Sequence, residues 1–120
     1  MKLKRVGFYK ELRGTKAEGE SIREAISEYA NEFEEKIIEY LNNGLVLIGS
    51  PGPVKDVLND SKNFVGSMHI LTDGLWAWPS VLKYYVKEYH IKLPEEFINH
   101  MLERNWIIKK DEVDISTLEY

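Results

Sequence analysis

Three histidines, His69, His90 and His100, are the side chains best suited to proton transfer or metal binding near neutral pH. None falls in an H-x-H, H-E-x-x-H or H-x-x-E-H arrangement, the spacings that bring two ligands to one face of a strand or helix. Each reads as a partly exposed or singly satisfied histidine, and neither a metal nor a cofactor is expected. Cysteine is absent, which excludes a thiol nucleophile, a thiolate metal site and a disulfide scaffold. The serines show no G-x-S-x-G elbow. Gly49-Ser50-Pro51-Gly52-Pro53 has the glycines of a phosphate loop, but Pro51 and Pro53 lack amides such a cradle would need, and no Gly-Lys-Ser/Thr follows. Glu34-Glu35 and Glu95-Glu96 are paired in sequence only. Helix neighbours point about 100° apart, whereas an acid–base pair must face one cleft. No catalytic residue is expected.

Trp76 and Trp78 stand two apart on a predicted strand and so share a face, with Tyr84, Tyr85 and Tyr89 close by in sequence. Such a cluster is either core or a stacking platform for a small ligand. Platforms for bases come with basic residues. Met68–Trp78 contains Asp73 and no Lys or Arg, which favours core.

Charge is laid out unevenly. Residues 1–19 hold six basic residues against Glu11 and Glu18, and residues 20–43 hold seven glutamates against Arg23 and Lys36. The formal net charge of -4 argues against nucleic acid as a partner. On a helix running from about Glu20 to Asn43, Glu20, Glu24, Glu28, Glu35 and Glu39 lie opposite the apolar stripe, with Ile38 among them. That face is either solvated, or a docking surface in which acids steer a basic partner and Ile38 anchors it, or a place where Ile38 meets another element of the fold. The docking reading assigns Glu24, Glu28, Glu35, Ile38 and Glu39 to partner binding.

The elements that must position these residues follow from local patterns. The spacing predicts a strand over 5–9, a loop over 13–19, and the long helix, with Ser21 and Glu24 as a capping box and Gly44 as a left-handed C-cap. Ile22, Ile26, Tyr29, Phe33, Ile37 and Tyr40 form its apolar stripe. Leu45–Gly49 reads as a buried strand, Ser50–Pro53 as a turn, and Val54–Leu58 as a possible helical turn. Thr72-Asp73-Gly74 joins two strands as a hairpin, with Gly74 at positive φ. Helices follow at Ser80–Tyr89 and from Pro94 to Asn105, then a last strand at Trp106–Lys109 and a loosely held acidic tail. The 120 residues, 43% apolar and 30% charged, suit one domain spanning 1–120. The class is α+β: a small, mostly antiparallel sheet carrying a long N-terminal helix and two C-terminal helices. No apolar run has the length of a signal peptide or a membrane span, so a cytoplasmic protein with no membrane partner is expected.

The run Thr72-Asp73-Gly74-Leu75-Trp76-Ala77-Trp78-Pro79, then Leu82-Lys83-Tyr84-Tyr85-Val86 and Tyr89 through Phe97, resembles the pattern D-G-x-W-x-W … L-x-Y-Y-V-x-x-Y … L-P-x-x-F. That pattern belongs to a family of small uncharacterised bacterial proteins, and Gly7-Phe8-Tyr9-Lys10-Glu11-Leu12 is similar to the family's opening. These proteins look like immunity proteins of bacterial toxin systems. The resemblance implies a binding protein that neutralises a cognate toxin domain by occlusion, and the expected partner is a protein such as a basic toxin domain. It carries over no catalytic residue. The alternative is a small enzyme or enzyme-accessory protein that binds a small ligand at the Trp/Tyr cluster.

Overall fold

The computed structural model describes residues 1–13, 18–60 and 64–120. Strands β1 (Lys4–Arg5), β2 (Leu45–Ile48), β5 (Ile70–Thr72) and β6 (Trp76–Pro79) form one sheet in the order β1-β6-β5-β2. β1 runs parallel to β6, and the other two pairings are antiparallel. Strands β3 (Pro53–Lys55) and β4 (Phe64–Ser67) pair separately as an antiparallel ribbon. The helices are α1 (Lys10–Arg13), α2 (Glu34–Asn42), α3 (Leu82–Tyr89) and α4 (Glu95–Glu103).

Alternation along β6 divides the interior. Trp76 and Trp78 point into the main core, with Leu71 of β5 and with Tyr40, Leu82, Tyr85, Phe97 and Met101 from the helices. Ala77, between the two tryptophans, belongs to a second cluster with Leu3 and Ile70, completed by Phe8, Leu47 and Leu118. The period of two therefore gives this sheet two covered faces. The hairpin forms as its sequence predicts: Leu71 pairs with Trp78, Thr72 with Ala77, and Gly74 has φ +101°. A side chain is disfavoured in that conformation. α3 and α4 also follow the predicted positions, and α4 ends as Asn105 and Trp106 turn left-handed, at φ 54° and 61°.

The long N-terminal helix is not present. Only a 3-10 turn at Ile22–Glu24 and the nine-residue α2 are helical. Between them, polar groups divert the backbone. The Ser27 amide donates to the Tyr89 carbonyl (3.2 Å) and the Lys92 amide to the Ala25 carbonyl (2.8 Å), away from helical partners. Ser27 Oγ accepts from the Tyr29 amide (3.3 Å) and Asn31 Oδ1 from the Phe33 amide (2.8 Å). Such local bonds compete directly with a helix. The capping box is replaced as well. Ser21 does cap the 3-10 turn, but its hydroxyl donates to Glu11, whose other oxygen accepts from the Ile22 amide (2.8 Å). Burial opposes the charged form of Glu11, yet the Ser21 hydroxyl and Ile22 amide outweigh it and hold the carboxyl below its usual value.

Other departures are smaller. The first strand is two residues long rather than 5–9, because Gly7 turns at φ +81°. Asn43, not Gly44, is the C-cap of α2, with φ -92°. Gly44 is a matter of space: a β-carbon there would lie 2.7 Å from Trp78 Cζ2 and 2.9 Å from Leu71 Cβ. β2 is a half-exposed edge strand rather than a buried one. Val54 sits in β3, not in a helical turn. Trp106–Lys109 forms no strand. The tail is stitched to the other terminus: the Leu3 amide donates to the Glu119 carbonyl (2.6 Å) and the Glu119 amide to the Met1 carbonyl (2.9 Å). Part of the loop predicted over 13–19 falls on residues 14–17, outside the described residues.

Candidate functional site

The glutamates assigned to partner binding stay at the surface, but on two elements rather than one helix face. Glu24 closes the 3-10 turn, Glu28 lies in the irregular segment after it, and Glu35 and Glu39 stand one turn apart on α2. All four are exposed. Ile38 is not an exposed anchor. It is half-buried and packs against the main core, because α2 presents Ile37, Tyr40 and Leu41 inward and Ile38 borders them. The exposed apolar groups on this surface, Ile26 and Tyr29, are ones that periodicity places in the buried stripe. Tyr29 is 80% exposed, between Glu28 and Glu32. Loss of the helix is what turns it outward. The Ser27 and Asn31 side chains that divert the chain were the sequence signal for it.

The aromatic cluster is core. Trp78 is fully buried, its ring centroid 5.9 Å from Tyr40 and 5.8 Å from Phe97, and its Nε1 donates to the Leu41 carbonyl (3.0 Å). No ligand can stack on a ring so enclosed. Two buried carboxylates organise the polar groups around it. Asp73 Oδ1 accepts from the Leu75 (2.9 Å) and Trp76 (2.8 Å) amides, and Oδ2 accepts from Tyr40 Oη and pairs with His100 Nε2 (2.7 Å). Asp56 Oδ2 accepts from Tyr84 and Tyr89 (2.6 Å each), and Oδ1 from the Leu58 amide (2.7 Å), tying the segment after β3 to α3. Burial first, then the Asp56 carboxylate, pushes the Tyr89 phenol up to about 12 and raises Tyr84 further. Burial, then Asp73, raises Tyr40; burial, then Glu20, raises Tyr9 to about 12; burial also raises Tyr85. These phenols stay protonated in the folded chain where the unfolded chain ionises. Their contribution is present in full below about pH 10 and is lost as the pH rises toward the folded values. Circular dichroism is therefore expected to show stability falling between about pH 10 and 12. A flat profile over that interval would contradict the buried tyrosine network.

The histidines take separate places. His69 Nδ1 accepts from the Ser50 amide (2.7 Å), so that ring carries its proton on Nε2. His100 belongs to the Asp73 hub. His90 pairs through Nδ1 with Glu34 Oε2 (2.7 Å), at the mouth of a recess between α2 and α3. Among the described residues no group of three or more His, Asp or Glu could hold a metal ion, and no helix is long and apolar enough to cross a membrane. A depression of about 890 Å³ runs beside β1 and the 19–25 segment, with Arg5, Arg13 and Lys92 set against Glu20 and Glu24. No family model, no curated protein and no solved structure matches the chain.

Proposed function

We propose that the protein is a bacterial immunity-type binding protein of the cytoplasm, which neutralises a basic toxin domain by covering it and performs no catalysis of its own. The observation that carries this reading is Tyr29, held out to solvent between Glu28 and Glu32 on a segment whose backbone is fixed by hydrogen bonds. Tyrosine is enriched among residues that dominate interface energies, and it loses little freedom on binding. Glu24 and Glu28 on one side, with Glu35 and Glu39 on α2, supply the charge that draws a basic surface in. The family resemblance of the D-G-x-W-x-W region supports the same class.

The test pairs the protein with the product of the neighbouring gene and follows both cell survival and binding kinetics. The Glu28→Lys, Glu35→Lys, Glu39→Lys variant should associate more slowly and with a flatter salt dependence, because steering resides in long-range charge. Tyr29→Ala should mainly speed dissociation, by about tenfold or more. All four are exposed substitutions, so each variant should keep its stability to within about 0.5 kcal/mol per site. Full protection by a folded variant carrying all four changes would remove this surface from the mechanism.

A further inference from the structure

We propose that the outer edge of β2 is an interface on which two copies of this chain pair, strand against antiparallel strand, across a twofold axis. β2 is the last strand of its sheet, and among the described residues no strand bonds its far side. An edge of this kind offers unpaired amides and carbonyls to another extended chain, and proteins commonly blunt it with charge, proline or cover. The opposite edge of the sheet has charge and cover. β1 is Lys4–Arg5, and the tail is bonded to the residue just before it, through the Leu3 amide and the Glu119 carbonyl. In the separate ribbon, β3 has Pro53 and Lys55, both exposed. β2 has neither charge nor proline. It reads Leu-Val-Leu-Ile, with Val46 52% and Ile48 43% exposed.

Charge selects the occupant. Residues 40–54 contain no Asp, Glu, Lys or Arg, in a chain that is 30% charged. Asn42, Asn43, Val46 and the whole run from Ile48 to Pro53 are exposed, so this neutral stretch is largely surface. Twofold symmetry sets a patch against itself, and a charge near the axis meets its own twin. Two copies of net charge -4 already repel each other, and like charges paired across strands would add to that. A neutral apolar strand avoids the penalty, whereas a strongly charged partner finds no counter-charge on it. Antiparallel pairing of β2 with its twin sets Leu-Val-Leu-Ile against the same four residues.

Two features keep the contact small and closed. The register of β2 shifts between Val46 and Ile48, which bends the strand, and just beyond it the Ser50 amide is turned to His69 Nδ1 (2.7 Å). A ladder this short belongs with weak, reversible interfaces. Pairing also stops at two copies, because it consumes both β2 edges and leaves only the charged and covered β1 edges. This interface stands apart from the docking reading, since it uses other residues and its test uses no other protein.

The experiment is sedimentation equilibrium of the full chain. Between about 10 μM and 1 mM the mass should rise from one copy toward two, the range of a small interface. Added salt should leave this pairing unchanged or strengthen it, by screening the repulsion between two acidic copies. Val46→Lys with Ile48→Lys should weaken it at least about tenfold, by placing like charges across the strands. Val46→Thr with Ile48→Thr keeps the strand preference and should weaken it less. Ile107→Lys, at another exposed apolar residue (59%), should leave it unchanged. Circular dichroism checks that each variant is folded. Exchange of the 45–48 amides should slow as the concentration rises. A single copy at every concentration, growth beyond two copies, a dimer that salt dissociates, or a folded lysine variant that pairs like the parent would overturn the proposal.

Discussion

Trp78→Ala should lower the stability of the chain by about 3–5 kcal/mol, the cost of deleting a large aromatic from a core that cannot fully collapse around the gap. Several features place it at the upper end. The residue is fully buried on the central strand β6, flanked by β1 and β5. Its ring touches elements from three parts of the chain: Tyr40 of α2, Phe97 of α4, and the Gly44 backbone, whose missing β-carbon leaves the space the indole fills. Its Nε1 also satisfies the Leu41 carbonyl near the end of α2. Truncation leaves that carbonyl in a cavity without the donor. Trp78→Phe separates the two effects, since it restores most of the packing but not the N–H, and should fall between parent and alanine. Urea midpoints read at constant slope would measure the series. Any loss of binding should track the unfolded fraction. A Trp78→Ala protein that melts like the parent yet fails to bind would move the tryptophan from scaffold to site.

The parts of the fold legible in the sequence are those fixed by short-range chemistry. Asp73-Gly74 demanded a tight turn between β-type runs, and the hairpin forms in that register. Pro94 followed by two glutamates started α4, and Asn105 ended it. The failure was the long helix. Ile22 and Ile37 are both buried, as one stripe requires, yet Tyr29 between them is outside. The periodicity was satisfied by two separate short elements that reach the same core, joined by a segment whose amides bind Tyr89 and Ser27 instead of each other. Those partners lie at the distant end of α3 or on side chains of low helix preference, and only the latter leave a trace in sequence. The candidate surface inherits this split. Glu24, Glu28, Glu35 and Glu39 were legible because charge seeks water on any local structure. Ile38 and Tyr29 exchanged roles because their exposure depended on the helix being continuous.

The second large effect is expected at Asp73. A carboxylate with a fully buried side chain is costly unless each lone pair is used, and here the two oxygens take two amides, a phenol and an imidazole. Asp73→Ala removes the common acceptor and leaves the Leu75 and Trp76 amides, Tyr40 Oη and His100 without it. Breaking such a network by deleting one member costs about 3–5 kcal/mol. Asp73→Asn should cost less. Its carbonyl oxygen can still receive the two amides of the turn, and the Tyr40 hydroxyl can rotate to accept from the new NH₂. His100→Gln tests the opposite rim, where the ring is partly exposed and water can replace it, so the loss should be smaller again. The order alanine, asparagine, then glutamine at 100, from most to least destabilised, follows from how many buried donors each change strands. Thermal and urea unfolding give that order directly. If Asp73→Ala proved as stable as His100→Gln, the turn would be held by Gly74 and the Thr72 hydroxyl, which accepts from the Gly74 amide (3.0 Å) and donates to the Trp76 carbonyl (2.7 Å), rather than by the carboxylate beneath it.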